Sequence, residues 1–343
     1  MRILQHCSRR NSPECYAVGV KSPNRKPPTG LMWQQPLRRS RQGAAWRLLE
    51  QVLRATITCA LFLSAVLPAR AANWTATTRP ARLVNGAPVL FQVKAPAKLD
   101  ALTGSWLGHQ ISFSYSPSTK TWFALAGIGI ETTPGKYVLA LSGERSAAKP
   151  GGTLTFTREF PVARAKYPQI KVALSVEKKF TEPSKEELEQ IEESKKVKQD
   201  YLNRVTPDRE WSGRFTAPAS ATISDVFGSQ RIFNGTASSP HQGLDFRVPT
   251  GTPVAAMNDG TVLLARPLYF EGNFVVIDHG QGLLTLYLHL SEFKVKEGEA
   301  VKRGQEIALS GGTGRATGPH LHVAVRWQGT YLDPARLMQL PLP

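Results

Sequence analysis

Between about residues 78 and 165, apolar and polar side chains alternate with period two. In VLFQVKA, Val89, Phe91 and Val93 share one face against Leu90, Gln92 and Lys94. In ISFSYS, Ile111, Phe113 and Tyr115 oppose the serines, and TLTFTREF repeats the form. Successive side chains of a strand point to opposite faces, so this pattern marks strands with one buried side. Pro134-Gly135 separates FALAGIGIET from KYVLALSG. Short alternating strands divided by turn signals predict an Ig-like β-sandwich over residues 73–165. It holds no catalytic grouping, and His109, directly after Gly108, reads as a turn residue.

The period then changes. In EPSKEELEQIEESKKVKQDYLNRVTP, Ser184 and Glu187 have capping-box spacing and Pro207 closes the segment. Leu188, Ile191, Leu202 and Val205 form a thin apolar stripe among charges. Residues 166–210 therefore read as a strand and a connecting, solvated helix of about 20 residues, ~30 Å long. From Trp211 the alternation returns in GTVLLA, NFVVIDHG and LLTLYLHL, with DPARLMQL as the next segment of helical period. Residues 211–340 are expected to form an all-β domain, so the chain is mainly β.

Charge changes the picture at the N-terminus. Residues 1–71 hold 12 of the 43 Lys and Arg but 2 of the 26 Asp and Glu, which leaves 31 basic and 24 acidic residues for the remainder of a +17 chain. That moderate excess suits an anionic envelope surface and does not call for nucleic acid. Arginines from Arg38 to Arg54 precede an apolar run, Ala55 to Leu67, and the small-x-small pattern Ala69-Arg70-Ala71. The arrangement reads as a secretory signal cleaved near Ala71, with Met32 as the expected start and export to the periplasm or cell envelope as the outcome. Cys7, Cys15 and Cys59 all lie in this segment, so the mature protein has no thiol to offer a metal or a substrate.

Five of the seven histidines fall between residues 241 and 322. In LLTLYLHL, Leu284, Leu286, Leu288 and Leu290 share one face, and Thr285, Tyr287 and His289 the other. In HLHVAV, His320 and His322 share a face with Ala324. Two such strands side by side would gather three imidazoles. SPHQGLDF adds His241 and Asp245, which a straight strand would hold ~13 Å apart. To share one ion they need a bend or bulge at Gln242-Gly243, with Gly243 supplying the freedom. Three N/O ligands and an open position suit a catalytic zinc, and peptide hydrolysis also needs a proton carrier and an oxyanion partner, roles open to unligated histidines. His241, Asp245, His289, His320 and His322 supply that inventory, although spacing leaves open which of His320 and His322 binds the ion. His279, before Gly280, reads as a turn residue. Arg231, Asn234 and Arg315 are candidates for binding substrate along a groove.

The ordered motifs HQGLDF, YLHLSEF and GPHLHVAV resemble the lysostaphin-type (LytM-domain) zinc metallopeptidases, over roughly Thr216 to Met338. The resemblance implies one zinc per chain on His241, Asp245 and His322, with His289 and His320 in catalysis. It further implies a small β-sheet scaffold with an open groove and peptide bonds of peptidoglycan as substrate. The preceding β-domain resembles N-terminal domains of exported members; its open roles are to position the enzyme on the wall, to shade the groove or to dock an envelope regulator, which the connecting helix could also do. A non-enzymatic member that activates a separate wall amidase is the alternative; such members are marked by lost ligands, and none is lost here.

Overall fold

The computed structural model describes residues 73–145, 152–168, 171–233 and 235–343. The expected signal segment, Met32 and the three cysteines lie outside these residues, as does Asn234. The described residues all fall in one compact unit.

The N-terminal part is a sandwich of two sheets. One has the order Thr75–Arg79, Pro88–Lys94, Thr121–Gly127, Ser114–Ser116. The other runs Leu83–Val84, Leu154–Ala163, Gly135–Glu144, Ala101–Trp106, His109–Ser112. This is the A-B-E-D sheet of an Ig sandwich facing a G-F-C sheet, extended by C′ and by a short parallel strand at the far edge. Trp106, fully buried on strand C, donates Nε1–H to the Gly127 carbonyl at 3.1 Å and packs edge-to-face with Phe91 at a ring-centre distance of 5.0 Å. Tyr137, near the start of strand F, donates its hydroxyl to the Thr133 carbonyl at 2.7 Å, the tyrosine corner of this fold. Two residues on, buried Leu139 stands where antibody domains carry a disulfide cysteine. Aromatic packing around Trp106 takes the place of that bond.

Two segments depart from simple alternation. ISFSYS is not one strand: the chain crosses between sheets at Phe113, so Ile111 and Phe113 are buried while Tyr115 is 48% exposed. Thr121–Gly127 is buried on both faces, because the outer face of its sheet packs on the C-terminal part. Phe123 meets Trp211 at a ring distance of 6.2 Å, and a Cβ on Gly127 would come within 2.8 Å of Leu332. His109 is more than a turn residue: it opens a strand and packs edge-on against Trp327 at 5.0 Å.

The connector begins with a strand, Lys171–Leu174, parallel to Gln230–Phe233. Helix α1 follows, Lys185–Leu202. Ser184 Oγ accepts from Glu187 N at 3.2 Å and the Glu187 carboxylate accepts from Ser184 N at 2.8 Å, the expected capping box. Ile191 and Leu202 are buried, but Leu188 and Val205 are about half exposed, so the apolar stripe is narrower than the sequence suggested.

The C-terminal part is built on a ten-stranded sheet. Its main path comprises β1 (Ile223–Asp225), β2 (Leu244–Phe246), β3 (Gly260–Leu268), β4 (Gly272–Asp278), β5 (Leu283–Phe293), β6 (Ala300–Val301) and β7 (Leu321–Trp327). Their spatial order is β1-β2-β7-β5-β4-β3-β6. Both faces are covered. Leu264, Phe274, Val276, Leu284, Leu286 and Ala324 pack with Leu202 of α1, while Leu283, Tyr287, Val323 and Val325 join the core that continues into the sandwich. DPARLMQL forms the terminal helix Pro334–Gln339, capped by Asp333.

His279, between the end of β4 and the turn at Gly280, is fully buried. Its Nδ1 lies 2.6 Å from the Asp259 carbonyl, which can only accept, so Nδ1 carries the proton and Nε2 is an acceptor. Thr285 Oγ1, 2.8 Å from Nε2 and 3.0 Å from the Tyr287 hydroxyl, then donates to His279 and accepts from Tyr287. The Tyr287 hydroxyl accepts from Met257 N at 2.9 Å, which completes a satisfied polar chain inside the core.

Candidate metal centre

The site forms where β2 and β7 meet β5 and the loop ahead of β2. Asp245 of β2 pairs with His322 of β7, and His322 pairs with Leu288 of β5. His241 precedes β2 and reaches the same point because the chain bends at Gly243. The bend falls where the sequence placed it, but for a different reason. Gly243 does not adopt a left-handed φ. A Cβ there would lie 2.4 Å from His322 Nε2 and 2.7 Å from the Val323 carbonyl, so glycine is needed for clearance.

One ligand atom each from His241, Asp245 and His322 lies within 4.8 Å of the others, and all three residues are buried. His241 Nε2 is 3.3 Å from Asp245 Oδ1 and 3.1 Å from His322 Nδ1, which is 2.7 Å from the same carboxylate oxygen. His241 Nδ1 donates to the Val226 carbonyl at 3.1 Å, leaving Nε2 as an acceptor. Two acceptors, an imidazole nitrogen and a carboxylate oxygen, thus face each other out of water. Such an arrangement needs a proton or a cation between its members. A proton on His322 Nδ1 meets that need here; a divalent ion held by two imidazole nitrogens and one carboxylate oxygen would meet it equally. The donor set fits a metal. Burial would raise the Asp245 carboxyl, but His322 and His241 hold it well below the usual carboxylate range. His322 is lowered to about 4, chiefly by burial.

His289 and His320 stand beside this cluster. Their rings are 4.8 Å apart, and His289 is 6.1 Å from His322. Strict alternation would have turned His289 to the side of Thr285 and Tyr287. Instead it has φ +61° where β5 leaves β7 and pairs onward with Glu306–Ser310, and this bulge brings it to the Leu288 side, onto the cavity wall that His322 also lines. Its backbone N–H donates to the Glu271 carbonyl at 2.9 Å and its Nδ1–H to the Thr313 carbonyl at 2.8 Å. His320 Nδ1 donates to the Gly318 carbonyl at 2.9 Å. Each ring therefore keeps Nε2 as an acceptor. His289 is lowered to about 3, first by burial and then by His320 and His322.

Two cavities, about 180 and 250 Å³, flank the cluster and share Arg231 and Arg315 as wall residues. His241 and His289 line the first, His320 the second. Arg315 lies over the Phe270 ring at 4.7 Å. Arg231 lines the groove, but its guanidinium is committed to the carboxylates of Asp225 and Asp245. Asp225, Thr313 and Glu271 were not singled out from the sequence. The last two act through backbone carbonyls, and Asp225 carries no spacing signal.

A family model described as Peptidase family M23 matches residues 239–334. Peptidoglycan DD-endopeptidase ShyA of Vibrio cholerae is 44% identical over 131 residues, 38% of this chain and 30% of the relative. Peptidoglycan DD-endopeptidase ShyB of the same organism is 52% identical over 103 residues, 30% of this chain and 24% of its own. The chain thus spans under a third of the length of these curated relatives. A crystal structure from Pseudomonas aeruginosa, provisionally named a peptidase M23, is 28% identical with a TM-score of 0.58, covering 75% of this chain and 95% of that one. That share exceeds the C-terminal part alone, so the likeness takes in the sandwich.

Proposed function

From a chain that carries a peptidase family M23 domain at residues 239–334, we infer a zinc endopeptidase that hydrolyses peptide bonds in the stems or crosslinks of peptidoglycan. The observation that carries this reading is the convergence of His241, Asp245 and His322 beside His289 and His320 on a groove. The names of the Vibrio cholerae relatives supply the substrate class. His241 through Nε2, Asp245 through Oδ1 and His322 through Nδ1 would hold the ion. Zinc in such a site supplies Lewis acidity that polarises a carbonyl and makes water a stronger acid.

The remaining chemistry falls to the protein. His289, neutral at physiological pH and fixed by its bond to Thr313, offers Nε2 as a proton acceptor beside the reacting carbonyl. His320, oriented by Gly318, offers a second Nε2 for moving a proton to the departing amine. Arg315 supplies cationic character in the wall of both cavities, where a peptide carboxylate can lie, while Arg231 beside it is matched by Asp225 and Asp245. Export follows from the Arg-rich and apolar segment before Ala71, which would deliver the enzyme to the envelope.

Digestion of purified sacculi, with zinc content measured in parallel, tests the assignment. Wild type is expected to hold one zinc and release peptide fragments. His322→Ala should lose both zinc and activity, whereas His320→Ala should keep zinc and lose activity. Undiminished release by both variants would end the proposal.

A further inference from the structure

Beside the metal-binding atoms lies a second layer of charged side chains, in the wall of the second cavity. Asp225 and Asp245 sit directly opposite each other on β1 and β2. Two carboxylates at paired positions repel, and Arg231 lies between them. Its Nε and Nη2 donate to Asp225 Oδ2 at 3.0 and 2.9 Å, and Nη2 also donates to Asp245 Oδ2. The other Asp225 oxygen accepts from Val226 N at 2.9 Å and from Ser229 Oγ at 2.5 Å, so the carboxylate is fixed in place. Asp225 Oδ2 is also 3.2 Å from His241 Nδ1. These side chains are nearly buried, at 16% exposure for Arg231 and 11% for Asp225.

The outer atom of each ligand therefore meets this pair: Nδ1 of His241, which donates to the Val226 carbonyl, lies 3.2 Å from Asp225, and Oδ2 of Asp245 accepts from Arg231. The inner atoms, His241 Nε2 and Asp245 Oδ1, are left facing each other. We propose that Asp225 and Arg231 form a charge-matched brace, positioning residues that restrict Asp245 to one oxygen toward the metal and His241 to Nε2. The idea rests on the metal centre proposed above.

Charge balance gives the brace a distinctive signature. With neutral histidines, Asp225, Asp245 and Arg231 sum to one negative charge. Asp225→Asn leaves the shape but raises that sum to zero, with Arg231 free to compete with the cation for Asp245. Removing Arg231 as well restores one negative charge. Zinc affinity, measured by competition with a chromophoric chelator, is expected to fall 10- to 100-fold in Asp225→Asn. It should recover by at least half of that loss, on a logarithmic scale, in Asp225→Asn/Arg231→Gln. A residue that merely held the fold would show no recovery when a second partner is deleted. Thermal unfolding of the metal-free variants separates misfolding from weakened binding. An Asp225→Asn affinity within twofold of wild type, or a double variant no better than the single one, would overturn the brace. Absence of zinc from the wild type would instead overturn the metal centre and the brace with it.

Discussion

Gly243→Ala isolates the geometry that lets His322 reach the cluster. The added Cβ would stand 2.4 Å from His322 Nε2, 2.5 Å from Cε1 and 2.7 Å from the Val323 carbonyl. Ordinary carbon contacts lie at about 3.5 Å, so something must retreat by roughly 1 Å. The Val323 backbone is held in β7 between β2 and β5, which leaves the imidazole to move. Metal–ligand distances tolerate about 0.2 Å, so a shift of that size removes one of three ligands. Zinc affinity should drop at least ~100-fold, about 3 kcal/mol. Crowding of the core should cost a further ~1–3 kcal/mol of stability. Because Gly243 has no left-handed φ, backbone strain adds nothing. Chelator competition reads the first effect, and thermal unfolding with and without zinc reads both. Gly318→Ala is the control, since its Cβ meets nothing within 4 Å. A Gly243→Ala protein with wild-type zinc affinity and an unchanged Tm would refute the clearance argument.

Three further outcomes are expected. His279 has its pKa lowered to about 4 by burial, against 6.5 when unfolded. The unfolded chain therefore binds the proton first, and stability should fall as pH drops from about 6.5 to 4, by roughly 3 kcal/mol. Urea unfolding across that range should be flatter in His279→Gln than in wild type, and parallel curves would contradict the assignment. Ser184→Ala should cost about 1 kcal/mol by removing the cap of α1, read by thermal unfolding, with no change in zinc binding. Tyr137→Phe, which loses one hydrogen bond at the sandwich corner, should cost ~1 kcal/mol in the same assay.

Much of the architecture was legible because local patterns coincide with tertiary ones. The Ser184/Glu187 box fixed where α1 begins, since both partners lie within one turn. Alternation marked strands such as Gly135–Glu144, where the sandwich buries Leu139 and Leu141 between more exposed neighbours. It failed where burial was two-sided or the chain changed sheets: in Thr121–Gly127, covered by the C-terminal part, and at Phe113, where a single pattern spans two sheets. At His289 a bulge reverses the face that period two assigns, and nothing in LLTLYLHL signals it. The five polar residues of the cluster could be collected from the sequence, since His and Asp stand out in apolar runs. Their supports could not, because a carbonyl such as Thr313 O has no side-chain signature, and Asp225 meets Arg231 only through the fold.

The claim that these residues cut wall peptides is tested most directly by mass spectrometry of the material that the zinc-loaded protein releases from purified sacculi. New amino and carboxyl ends at one peptide bond, with intact glycan and no such products from His322→Ala, are the expected result. Sacculi left unchanged by a protein that holds stoichiometric zinc would contradict it.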